Sequence, residues 1–308
     1  MRWEDFRRSD NVEDARDGDG GGYGGGGYGL PIGRGGLGIG TIVVLGLLGW
    51  ALGIDPSLLI GGAEILTGGG SQYEQPYRQP QTRSGTPSDQ TGQFVAAVLG
   101  DSEDRWKEIF QQSGQTYTPP KLTLFSGGLP SACGFAQSAM GPFYCPRDRH
   151  VYLDTSFFRE LQTRFRGCPT GAKACEFAQA YVITHEVGHH VQNLLGILPK
   201  VQQQQASMGR SAEANRLQVR VELQADCFAG VWANKSEQKW KFLEPGDVET
   251  AMRVAAAIGD DMLQKRSQGY VVPDAFTHGS SEQRQRWFST GLKQGTVASC
   301  NTFAASQL

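Results

Sequence analysis

The pattern of apolar and polar positions changes character several times along the 308 residues. Residues 1–34 are charged and then glycine-rich, including the run GDGGGYGGGGYGL, and their lack of apolar periodicity predicts a disordered tail. Residues 35–54, GGLGIGTIVVLGLLGWALGI, carry no charge and match the roughly 20 residues needed to cross a bilayer core, so they form a transmembrane-helix candidate. Residues 55–92 are rich in Gly, Pro, Ser, Gln and Thr, the composition of a flexible linker. From residue 93 to about 304 the apolar positions recur at helical and strand spacings, which places the folded domain there.

Within that domain FVAAVLGDSEDRWKEIFQQSG predicts a helix closed by glycine, and KLTLF and HVYLD predict short strands. A helix is expected near 155–165, and another over 176–195 on the apolar scaffold Phe177, Tyr181, Val182, Val187 and Val191. Long helices are expected near 203–234 and 246–266, the second with Pro245 and Asp247 at its start. The fold class this implies is α+β, a mainly helical domain with a small β-sheet.

Charge and cysteine refine the picture. A net charge of -2 offers no basic surface for a phosphate backbone, which argues against nucleic acid as a partner. Arg2, Arg7, Arg8, Arg16 and Arg34 precede the apolar block, and the next basic residue after it is Arg78. The positive-inside rule then places the N-terminus in the cytoplasm and the domain outside the inner membrane, periplasmic or extracellular. Cys133, Cys145, Cys168, Cys175, Cys227 and Cys300 all follow the block, form no C-x-x-C pair, and suit up to three disulfides in an oxidising compartment. Spacing leaves connectivity open; the loop closed by Cys133 and Cys145 around a Gly- and Ser-containing stretch is the pairing best favoured. Gly49-x-x-x-Gly53 admits a helix contact with a second copy of the chain, a homo-oligomer.

The chemistry is concentrated in His185-Glu186-Val187-Gly188-His189. Two histidines four apart on a helix lie on one face, where both imidazoles converge on one zinc ion, Zn2+, while the adjacent Glu186 is placed as a general base. Catalytic zinc needs a third protein ligand and an open position. The extended motif that would supply a histidine at 195 is absent, since residues 192 and 195 are Gln192 and Leu195. VELQADCFAG offers Glu222 as that ligand, with Asp226 one turn on to accept the second ring N–H of a ligating histidine, His185 being favoured. Small Ala225, Ala229 and Gly230 permit close packing against the first helix. His278 is the candidate to stabilise a developing oxyanion, His190 is read as a packing residue, and His150 is assigned no role.

These segments resemble the neutral zinc metallopeptidase family of bacteria. The likeness runs through MRWEDFRRSDNVEDARDG, the Gly-rich stretch and apolar block, GPFYCPRDRHVYLDTSFF, THEVGHHVQNLLG, RVELQADCFAGVWA and THGSSEQRQRWF. It implies a single-span, membrane-anchored peptidase acting on peptide or protein substrates. A looser similarity to the membrane Glu-zincins supports the roles of Glu222, Asp226 and His278, and implies that HVYLD is the edge strand on which an extended substrate pairs. The competing reading is a non-enzymatic, zinc-stabilised scaffold or adaptor; a hydrolase of non-peptide amides or esters is the third.

Overall fold

The strand patterns KLTLF and HVYLD appear where their alternation and β-branched or aromatic content place them, in a computed structural model that describes residues 1–16, 83–138, 141–163 and 173–308. In chain order the elements are strands β1 (Val12–Asp14) and β2 (Arg83–Ser84), helix α1 (Gln90–Gln112), and strands β3 (Lys121–Phe125), β4 (Gly128–Ser131), β5 (Gly134–Gln137), β6 (Phe143–Cys145) and β7 (His150–Asp154). Helices α2 (Ser156–Thr163), α3 (Glu176–Leu194), α4 (Ile197–Met208), α5 (Ala212–Trp240), α6 (Asp247–Ala257), α7 (Asp260–Gln268) and α8 (Ser281–Gln294) follow. The architecture is mixed, helix-rich with small sheets. Five strands run in the order β2-β1-β3-β7-β6, with β1, β3 and β7 parallel and the outer strands antiparallel, and β4 and β5 form a separate hairpin.

The core lies between this sheet and α3, with α1, α5 and α8 packed around it. Trp106, Tyr181, Phe177, Phe228, Trp232, Phe242 and Phe288 are fully buried there. Helices α5 and α8 approach more closely than side chains normally allow. A Cβ on Gly291 would collide with the Cys227 carbonyl, and one on Gly230 with that of Phe288.

Two long predicted helices are each broken. The 203–234 pattern is split at Gly209, whose φ of 60° ends α4, and Ser211 then caps α5 by accepting from the Ala214 N–H. The 246–266 pattern is interrupted at Gly259, which lies against Ser281, and becomes α6 and α7.

The reading of residues 1–34 as a disordered tail is corrected over its first half. Met1, Trp3, Phe6 and Val12 are buried in the main core, at about 1.5–3 kcal/mol for each large side chain taken from water. Strand β1 is interior to the sheet, pairing Val12 with Leu122 on one side and Glu13 with Ser84 on the other. The Met1 ammonium lies 3.0 Å from Glu244 and 3.1 Å from Asp247. The arginines read as topology signals are occupied within the domain. Arg7 pairs with Glu103 and Asp104, Arg16 with Asp14 and Asp89, Arg8 donates to the Glu4 carbonyl, and Arg2 donates to that of Lys241. The linker reading is likewise corrected at its end, since Arg83–Ser84 pair with β1 and Asp89 caps α1.

The candidate span 35–54 lies outside the described residues, as does Arg34; no described helix is long and apolar enough to cross a membrane. A further correction concerns HVYLD: β7 is flanked by β3 and β6, so the sheet edge on that side is β6. Cys133 bonds Cys145, Cys227 bonds Cys300, and Cys175 is also disulfide-bonded; no described cysteine is free. Cys168 lies outside the described residues.

Candidate metal centre

Helix α3 carries His185, Glu186 and His189, and α5 crosses it with Glu222 and Asp226. The crossing is close because Gly188 faces Ala225: a Cβ at 188 would sit 3.0 Å from the Ala225 carbonyl oxygen and 3.1 Å from its Cα. This backbone contact, three residues after His185 and next to His189, brings the two helix faces together.

One ligand atom from each of His185, His189 and Glu222 falls within 4.8 Å of the others, the one such cluster among the described residues. Glu222 Oε2 lies 3.2 Å from His185 Nε2 and 3.4 Å from His189 Nε2. Tetrahedral zinc with bonds of about 2.0–2.1 Å separates its ligand atoms by about 3.3 Å. The donor set and its spacing thus fit that ion. The three side chains are nearly buried, and their own N and O atoms converge on one point.

Each of the three side chains is held from behind. His185 Nδ1 is 2.8 Å from Asp226 Oδ1, so a neutral ring donates there and leaves the Nε2 lone pair toward Glu222. His189 Nδ1 is 2.9 Å from Gln192 Oε1. The Gln192 amide donates to the Val221 carbonyl at 2.8 Å and to Gln224 Oε1 at 3.0 Å, which fixes its oxygen as an acceptor and the His189 proton on Nδ1. Gln218 donates to Glu222 Oε1 at 2.8 Å, leaving Oε2 for the cluster.

Asp226 is fully buried and multiply bonded. Arg284 on α8 donates to both of its oxygens at 2.9 Å, and Tyr181 donates to Oδ1 at 2.5 Å. Burial raises the Asp226 pKa, but Arg284 and His185 outweigh it and hold the carboxyl at about 2. Burial would lower His185, yet Asp226 and then Glu222 lift it to about 10. Glu222 is likewise pulled well below the usual carboxylate range by the two histidines against its burial. Glu186 differs from these carboxylates: burial pushes it up, only partly opposed by His185 and His189.

His190 points away from the cluster. Its Nε2 donates to the Thr118 carbonyl at 2.7 Å and its Nδ1 accepts from the Tyr144 hydroxyl at 3.0 Å, tying α3 to β6. Burial lowers this imidazole to about 4, so it is neutral. His278 follows α7 with half its side chain exposed; its Nδ1 is 3.2 Å from Asp260, and burial is outweighed by Asp260 and the field of Glu222, which raise its pKa. His150 lies on β7, 3.3 Å from Thr123, remote from this cluster.

Sequence reasoning missed Gln192, Arg284 and Tyr181. Gln192 is signalled by its i+3 spacing from His189. Nothing local marks Arg284, which reaches Asp226 only through the packing of α8 on α5.

A family profile described as "Putative neutral zinc metallopeptidase" matches residues 1–303. The uncharacterized protein YpfJ of Escherichia coli K12 is 48% identical over 309 residues, covering 99% of this chain and all of the relative. The uncharacterized protein Rv2575 of Mycobacterium tuberculosis H37Rv is 41% identical over 238 residues, covering 74% of this chain and 76% of the relative. No solved structure matches the chain. With the profile spanning nearly every residue and the ligand cluster formed by its histidine motif, the chain belongs to this neutral zinc metallopeptidase family.

Proposed function

We propose that this chain is a zinc-dependent peptidase that hydrolyses peptide bonds. The observation that carries the reading is the convergence of two imidazole nitrogens and one carboxylate oxygen at tetrahedral spacing, with a second buried carboxylate, Glu186, beside them and outside the ligand set. A structural site has no use for that fourth group.

His185, His189 and Glu222 would hold the ion, which when bound supplies Lewis acidity toward a carbonyl and toward water. Glu186 takes the proton of the attacking water and passes it to the leaving amine. Its burial raises its basicity, which suits that exchange near neutral pH. Asp226 and Gln192 fix the two ring tautomers. His278, whose pKa is raised against its burial by Asp260, 3.2 Å away, would stabilise the negative charge that develops on the carbonyl oxygen. The disulfides support an oxidising compartment, outside the cytoplasm.

The test is Glu186→Gln. The variant is expected to bind one zinc per chain with the parent's melting temperature while cleavage of a peptide library falls by at least 100-fold. Equal cleavage by the variant would remove Glu186 from the reaction. A parent that binds one zinc and cleaves nothing across broad peptide and ester panels would favour the scaffold reading.

A further inference from the structure

The two flanks of the apolar block belong to one body. Val12–Asp14 lie between β2 and β3 in one sheet, and the Cα partners Asp14 and Arg83 mark where the chain leaves that sheet and where it returns. Paired residues in adjacent antiparallel strands are about 5 Å apart, whereas a bilayer core is about 30 Å thick. A single crossing at 35–54 would set Met1–Arg16 and the metal cluster on opposite faces of that core. It would take β1 out of the sheet, Met1, Trp3 and Phe6 out of the main core, and Arg7 away from Glu103 and Asp104. The positive-inside argument for such a crossing is also weakened, because Arg7 and Arg16 are held in ion pairs within the domain.

We infer that Met1–Arg16 and the metal-binding domain share one compartment, on one side of any bilayer to which the protein is bound. The inference is independent of the peptidase reading, since it rests only on the pairing of the first strand.

Two measurements on the full chain in cell membranes test it. Glu13 Oε1 lies 2.6 Å from Lys121 Nζ across β1 and β3, a distance at which a permeant zero-length carbodiimide joins carboxylate to amine. Mass spectrometry of the unsubstituted, membrane-bound protein should recover the Glu13–Lys121 linked peptide, and Lys121→Gln should abolish it. Failure to find the link in membranes, where protein released by detergent gives it, overturns the inference. For sidedness, Glu4→Lys adds an amine at an exposed position, to be compared with exposed Lys107 on α1. An impermeant amine reagent should label both in intact spheroplasts, or both only after permeabilisation. Labelling of one in intact spheroplasts and of the other only after permeabilisation would place them on opposite sides and refute the shared compartment.

Discussion

The metal cluster and the N-terminal segment are both secured by charged side chains, but in opposite ways. Around Asp226 the charges are buried and interlocked: Arg284, Tyr181 and His185 all meet one carboxylate that water does not reach. Along residues 1–16 the apolar anchors Met1, Trp3, Phe6 and Val12 are buried, while Arg7 and Asp104 remain partly exposed to solvent. The lesson is that the same residue types set geometry in one place and merely decorate hydrophobic attachment in the other. Removing one member strands its partners in the first case and leaves them hydrated in the second.

The largest effect separating the two regions should come from Arg284→Ala, which leaves the Asp226 charge buried without its main partner. A loss of about 3–5 kcal/mol is expected, seen as a fall in melting temperature on the order of 10 °C together with weakened zinc binding in a competition titration. A loss no larger than for a surface arginine would erase the distinction. Next, Phe6→Ala removes an apolar anchor of the N-terminal segment and should destabilise by about 3 kcal/mol without changing zinc affinity, since Phe6 packs on Trp240 and Phe242 rather than near the ligands. Gly188→Ala should have the reverse balance. Pressing a methyl against Ala225 costs about 1–3 kcal/mol, and because it separates α3 from α5 it should weaken zinc binding more than it lowers stability; calorimetry with and without the metal separates the two. Arg7→Gln breaks pairs with Glu103 and Asp104 at a partly exposed site and should cost under about 1 kcal/mol.

The smallest signal is one of pH. Arg16 lowers Asp14 and takes Asp89 to about 2, so both carboxylates are depressed in the folded state. Their contribution is present above the ordinary carboxylate range, near 4, and is lost as pH falls through it toward 2. Asp89 is half exposed and solvent screens the pair, so a fraction of a kcal/mol is expected. Urea midpoints at pH 5 and pH 3 for the parent and Arg16→Gln should converge in acid; a constant gap would assign the effect of Arg16 to packing.

How much of this was legible in the sequence follows the same division. KLTLF, HVYLD and the helix of the histidine motif were readable because alternation and helical spacing are local signals. The meeting of Glu222 with the two histidines was readable because Glu222 and Asp226 sit one turn apart in a segment whose small residues announce a close helix neighbour. The Cys133–Cys145 bridge was favoured by the short loop that it closes. The burial of residues 1–16 was not readable: Met1, Trp3, Phe6 and Val12 follow no period, and each gains its contacts more than 80 residues away, on α1, β3 and the segment after α5. Arg284 was opaque for the same reason, since only the glycine-mediated approach of α8 to α5 carries it to Asp226. The breaks at Gly209 and Gly259 were local signals outvoted by the apolar periodicity on either side.

Tyr144 on the outer strand shares a proton with His190, the residue following His189. Among the described residues no strand lies beyond β6 in its sheet, so this phenol fastens an outer strand directly to the helix of the histidine motif. A disturbance of the outer strand would therefore be felt, by way of one phenol and the His190 ring, at the turn of α3 that carries His189.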